Sequence, residues 1–489
     1  MRKPNIKMNL KLDTKKMVFL AIFLVILLIA AAAILLASRG EQVEEPSLEQ
    51  VLKDKLTAYE TDLRDSLGSM ETNTDVGDYL LSWAKNKQIS AFRDTAGNVI
   101  YTIPAAENAP DAQPAAVLCS FDAQSMETHV EEMAIALTIA RNVQNNGKLS
   151  VIFLAEEDGE KSGVKQLNYS WFTDDTAIFC LGNSSSARVS VVTGGYQHIT
   201  ISKKLNYNEP SYNKAYKVTL KNCPSELITG KYDATLNPIK TLGSVLANFK
   251  STSLLFELSS FSGGSDEMIS PSRASMTVVI NEGDTEKFQR KMDNSIEKIY
   301  EKYHEEYPEI EYTYEEVDLP SRVIDREYTD NLVSLMYTSF NGVYNRDDEG
   351  TITALTNIGK LSTKNRRLKI DVAVMCSDAL MMYEISEAYE TICGLCDVNY
   401  KISEEYPVYD GSAQVQTLEL LKSYEEAFLE FTGDETMVQE NTAVLTNCTF
   451  IHERNRDLPV VFCGITDKTK HKFTGSIVTW LDQGITEEE

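Results

Sequence analysis

Residues 17–38 read MVFLAIFLVILLIAAAAILLAS, 22 consecutive positions without a charge. Coiled as a helix, such a run spans about 33 Å, the hydrocarbon thickness of a bilayer. Before it, residues 1–16 hold Arg2, Lys3, Lys7, Lys11, Lys15 and Lys16 against the single acid Asp13. After it come Glu41, Glu44 and Glu45. Basic residues collect on the cytoplasmic side of a span, so the N-terminus is expected in the cytoplasm and residues 39–489 outside it. A cleaved signal peptide is the other reading of Ala37 and Ser38, but its apolar region is usually about 7–15 residues long. The run predicts an uncleaved, single-pass anchor at the cell membrane. Residues 1–16 form its basic tail, and 39–47 (RGEQVEEPS) form a linker.

The chain has 489 residues and a net charge of −26. Beyond residue 38 the balance is more acidic still, with 41 basic and 72 acidic residues. Nucleic acids require a basic face, so no nucleic-acid partner is expected. The remaining composition is that of a globular protein, 43% hydrophobic and 25% charged, with length enough for two to four domains. Eight cysteines do not make a disulfide scaffold. The one close pair, Cys393 and Cys396, reads as a local disulfide or as two half-buried thiols, since no second pair or nearby histidine completes a zinc site.

Ser47 with Gln50 looks like a capping box opening a helix to about Leu67. Strand, helix, strand, helix and strand then follow at 115–119, 127–145, 149–154, 161–172 and 177–181. This alternation predicts α/β layering around a mainly parallel sheet. Residues 200–405 read as two α+β halves of about 100 residues each, and residues 406–489 return to the first style. The order fits a domain of residues 48–199 and 406–489 interrupted by an insertion at 200–405.

Acids stand at two predicted strand ends: Asp122 after AAVLC, and Glu156 with Glu157 after LSVIFL. In α/β sheets ligands bind beyond the carboxyl ends of strands, and paired carboxylates there suit general-base work beside a metal. A solvated acidic loop accounts for the same residues, because the run continues through Asp158 and Glu160.

Taken in order, LSVIFLAEEDGEKSG, NYSWFTDDTAIFCLGNSSSARVSVVTGG, FSGGSDEMISPSRASMTVVI, SFNGV, TALTNIG and EYPVY resemble the aminoacyl-histidine dipeptidases over about residues 50–485. These are co-catalytic zinc metallopeptidases. The resemblance implies a zinc-peptidase-like α/β domain with an inserted α+β lid, two zinc ions sharing a carboxylate, and a glutamate acting as general base. It assigns Glu156 as that base, Asp122 as the supporting aspartate, and Glu157 and His471 as metal ligands; in a remodelled site His129 and Glu127 would join Asp122, Glu156, Glu157 and His471 as candidate ligands. It also implies a Gly-Gly turn at Gly194–Gly195 and a lid that pairs subunits.

Several family positions differ. The metal histidine of the His-x-Asp motif is Ser120, and the bridging aspartate aligns with Thr128. The next metal aspartate falls at Gly182–Ser184. The carbonyl-polarising histidine falls in Asn222–Gly230, which holds none, and the carboxylate-binding Arg-Ser pair is Cys376-Ser377. A late His-Ala-Gly-Leu-Glu segment falls near Thr446–Phe450. A catalytic zinc takes three protein ligands and a water. The expectation is therefore a degenerate member, a pseudoenzyme that binds a short peptide or an envelope protein partner, with zinc only if the site functions. The alternative is an active metallopeptidase with a remodelled zinc site that cleaves short peptides. A structural envelope protein whose lid makes homodimer contacts is a third reading.

Overall fold

The computed structural model describes residues 47–482, apart from 158–160, 185, 226–227, 229–235, 349 and 434. The expected anchor at 17–38 lies outside the described residues. Among the described residues, no helix is long and apolar enough to cross a membrane.

The first helix, Leu48–Ser66, buries Leu52, Leu56, Tyr59 and Leu63, one stripe at helical spacing. A second, Asn73–Lys87, starts at a capping box between Thr72 and Asp75. The strands Ala115–Phe121 and Leu149–Ala155 are buried at every position. Such continuous apolar runs suit parallel strands covered on both faces. They pair in parallel with each other, Ala177–Asn183 continues the parallel set, and Val460–Ile465 closes it. Antiparallel strands flank this group, Ser90–Arg93 and Val99–Ile103 on one side and Arg188–Ser190 on the other. The first sheet therefore has seven strands, of which the central four are parallel. Helix Val130–Asn142, buried at ten positions, packs over it beside the C-terminal helix Lys470–Asp482.

The second sheet has eleven strands. Sequence periodicity divides residues 200–405 into two halves, but the hydrogen bonding joins them. Phe256–Gly264 from the first half pairs with Ile352–Ser362 from the second through Ser262–Ser362, Gly263–Leu361 and Gly264–Lys360. Helices Pro238–Ser251, Thr285–Tyr303, Arg326–Thr338 and Ala379–Leu395 bury Leu246, Phe249, Phe288, Met336 and Tyr389 in one core with Val218, Val278, Ile358 and Val372 of this sheet.

Two local expectations change. The predicted helix at 161–172 is only one turn, Ser162–Lys165, followed by a 3-10 turn at Tyr169–Trp171 that Asn168 caps. Asn168 offers its side chain to Ser170 N, and this competes with helix continuation. Gly194–Gly195 is not a turn, for both residues lie inside the 13-residue strand Val192–Lys204. A Cβ at Gly194 would stand 1.8 Å from the carbonyl oxygen of Ala443, so glycine is what lets the strand Thr442–Leu445 come alongside. All eight cysteines are free and buried, Cys393 and Cys396 included.

Candidate active-site crevice

The carboxyl ends of the parallel strands are tied together by backbone and by one asparagine. Glu156 N donates to Phe121 O at 2.8 Å. Asn73 donates to Glu156 O at 2.6 Å and accepts from Ala123 N at 2.8 Å. The two acids expected to do chemistry, Asp122 and Glu156, thus leave adjacent strand ends and are both buried, at 3% and 2% exposure.

Their partners differ. Asp122 caps the 3-10 turn Ala123–Thr128, accepting from Gln124 N at 3.0 Å. Glu156 accepts from Lys161 Nζ at 2.5 Å, an ion pair with little water around either end. Beside it His129 Nδ1 lies 2.6 Å from Glu132 Oε1. Burial alone would lower the His129 pKa; the Glu132 hydrogen bond, aided by the charges of Glu132 and Glu156, raises it above the ordinary value. Burial raises the Glu132 carboxyl in turn, against the histidine's pull. Two acidic and two basic side chains therefore meet where the resemblance implies metal.

Glu157 is exposed and lines a polar cleft of about 680 Å³ with Asp122, Asn73 and Arg93. His471 stands in the first turn of Lys470–Asp482, and its charged neighbours are Lys53, Lys472, Glu49 and Glu435. Burial, then Lys53 and Lys472, lower its pKa. None of these neighbours belongs to the crevice around Glu156. Among the described residues, the one group of three metal-type donors within 4.8 Å is Glu60, Glu131 and Asp467, which includes none of the expected ligands. Lys470 already holds that group, at 2.5 Å from Glu60 and 2.6 Å from Asp467.

One residue of the crevice escaped the sequence reading. Asn447 begins the helix Asn447–Arg454 and donates to Ser120 Oγ at 3.1 Å, both residues buried. The sequence resemblance aligns Ser120 with a metal histidine, and here a neutral amide and hydroxyl fill this corner. Asn447 Oδ1 has no partner there. Thr446–Phe450 had been matched to a family segment in the sequence, which was the available signal; contact with Ser120 needs the folded sheet. Cys376, at the family's Arg-Ser position, is buried, and burial pushes its thiol up to about 11.

No protein-family model and no curated protein matches the sequence. Among solved structures, the aminoacylhistidine dipeptidase of Vibrio alginolyticus is similar with a TM-score of 0.61 and 16% identity, covering 88% of this chain and 97% of that one. An aminopeptidase PepT from Bacillus cereus has a TM-score of 0.41 and 10% identity, over 88% and 98% of the two chains. A tripeptidase from Staphylococcus aureus has a TM-score of 0.40 and 9% identity, over 88% and 98%. The first likeness shows a peptidase-like mixed α/β fold. As placed, the residues of this chain do not fit the zinc pair that the resemblance implies. Glu156 is engaged by Lys161 and His129 by Glu132, Ser120 and Asn447 bond each other, and His471 faces other charges.

Proposed function

We propose that the chain is a non-catalytic, membrane-anchored member of the dipeptidase fold that binds a short peptide outside the cytoplasm. The observation that carries this reading is the buried Lys161–Glu156 ion pair at the carboxyl end of the parallel strands. A general base must be free to take a proton from water, and the Lys161 ammonium at 2.5 Å occupies the Glu156 carboxyl. Among the described residues no group of three metal-type donors includes Glu156, so none of them would hold a metal to lower the pKa of a water for it to activate.

The neighbouring cleft supports the binding half of the proposal. Its volume of about 680 Å³ is of ligand-binding size. Arg93 lines it together with Asp122 and Glu157, opposite charges that suit the two ends of a zwitterionic peptide. Arg93 Nε is buried without a partner, while Nη2 donates to both Asp78 and the Thr74 carbonyl. Residues 17–38 supply the anchor in this reading, the interrupted domain carries the cleft, and residues 200–405 form the lid.

The test is bound metal by mass spectrometry after dialysis against zinc, followed by a dipeptide hydrolysis panel and calorimetric titration with the same dipeptides. Substoichiometric zinc, no turnover and measurable binding that Arg93→Gln weakens are expected. One or two zinc ions per chain together with turnover abolished by Glu156→Gln would overturn the proposal in favour of an active metallopeptidase.

A further inference from the structure

We infer that the open face of the second sheet binds a linear, phosphate-bearing polymer. The inference is independent of the cleft at Asp122 and Glu157.

One row of paired residues crosses eight strands in turn: Thr313, Thr219, Ser275, Ser262, Ser362, Lys369, Ser202 and Asn399. Every member is a hydroxyl, an amide or a lysine. Along the strands these positions alternate with buried ones: Ala274 and Met276 flank Ser275, and Leu368 and Ile370 flank Lys369. The helices cover the apolar face, so the polar row lies on the other side.

At its middle the row enters a groove of about 590 Å³. Arg273, Lys360 and Lys364 line it with six serines and two glycines, and among the described residues no acidic or aromatic one does. Among the described residues these three cations form no ion pair, and the hydroxyls of Ser262 and Ser275 bond no protein group. Acids near the groove are engaged within the protein: Asp266, next to Ser265, accepts from Met268 N at 2.8 Å. Glu267 accepts from Tyr196 and faces His198, and Asp371 holds His198 and Lys369. From Lys360 to Lys369 the chain carries five cations and no acid, and Arg367 pairs in register with Lys204. In a chain of net charge −26, this concentration sets the face apart from the rest of the surface.

Phosphate fits such a lining because its several acceptor oxygens take hydroxyl and cationic donors together. The polymer follows from reach. Four strand steps separate Arg273 from Lys204, about 19 Å at the usual strand spacing, too far for one phosphate. A nucleic acid would call for aromatic rings to stack its bases, and the described residues of the groove lining include none.

The experiment titrates the full chain in detergent with sodium polyphosphate over a range of salt, using fluorescence. Binding that weakens steeply with salt is expected. The triple variant Arg273→Gln, Lys360→Gln, Lys364→Gln should bind at least about tenfold more weakly, with a log–log salt slope shallower by about 2. Ser262→Asp, a second variant, should weaken binding by charge alone, and Lys298→Gln on the helical side should leave it unchanged. Thermal unfolding of each variant confirms its fold. The inference is overturned if wild type does not bind, if folded variants bind like wild type, if an oligonucleotide of equal charge binds more tightly, or if only anionic phospholipid vesicles bind.

Discussion

Lys161 and Glu156 are worth most to each other because water reaches neither easily. Lys161→Met would leave the buried Glu156 carboxyl without its partner, a loss of about 2 to 4 kcal/mol, discounted for the partial exposure of the lysine. Adding Glu156→Gln should recover most of it, so the double-mutant cycle in urea unfolding should show strong coupling. Equal stability of Lys161→Met and wild type would remove the ion pair from the account. His198 gives a pH signature. Burial opposes its charge, but Asp371 at 3.1 Å and Glu267 at 3.4 Å raise its pKa above 6.5. A raised histidine contributes stability that is complete below the unfolded value and fades as pH rises through the folded one. His198→Gln should therefore flatten the stability loss just above pH 6.5, read from urea midpoints at several pH values. The Asp371 carboxyl is held low, despite burial, by His198 and Lys369, so its own contribution fades only in acid.

Two elements depend on single side chains at their joints. Lys240 Nζ donates to the carbonyls of Met336, Tyr337 and Ser339 at 2.7, 2.9 and 2.6 Å, closing the end of helix Arg326–Thr338. A cation at a helix C-terminus satisfies carbonyls that have no partner within the helix. Lys240→Met should destabilise by about 1–3 kcal/mol, with faster amide exchange in the last turn of that helix as its local sign. Gly194 is the other joint. Gly194→Ala drives a methyl into the Ala443 carbonyl and should destabilise by about 3 kcal/mol, the upper range for a forced overlap. Wild-type stability of that variant would mean that Thr442–Leu445 does not pack there.

At the scale of the whole molecule, the basic start and the apolar run at 17–38 predict where the chain resides. Expressed in a bacterial host, the full chain should sediment with membranes and resist carbonate extraction, whereas residues 47–489 alone should remain in the supernatant. Release of the full chain by carbonate would sink the anchor. Local chemistry made much of the architecture readable. Short apolar runs such as AAVLC and LSVIFL, read as strands from their length and flanking elements, fold as covered strands. Where side chains offered a competing bond, as Asn168 does, periodicity misled.

The amino-acid order by itself determined the uncharged run, the alternation of strands and helices, the acids that follow two strands, and the absence of histidines from family positions. These depend on periods of two and 3.6 residues and on residue identity, which are local. Only the tertiary structure decided that the two halves of residues 200–405 share one sheet and that Asn447 meets Ser120 across 327 positions. The same holds for the row from Thr313 to Asn399, whose members are scattered over the sequence and are aligned by strand register alone. Pairing across a sheet and contact of this kind in a crevice are set by which distant segments become neighbours, and no local period encodes that.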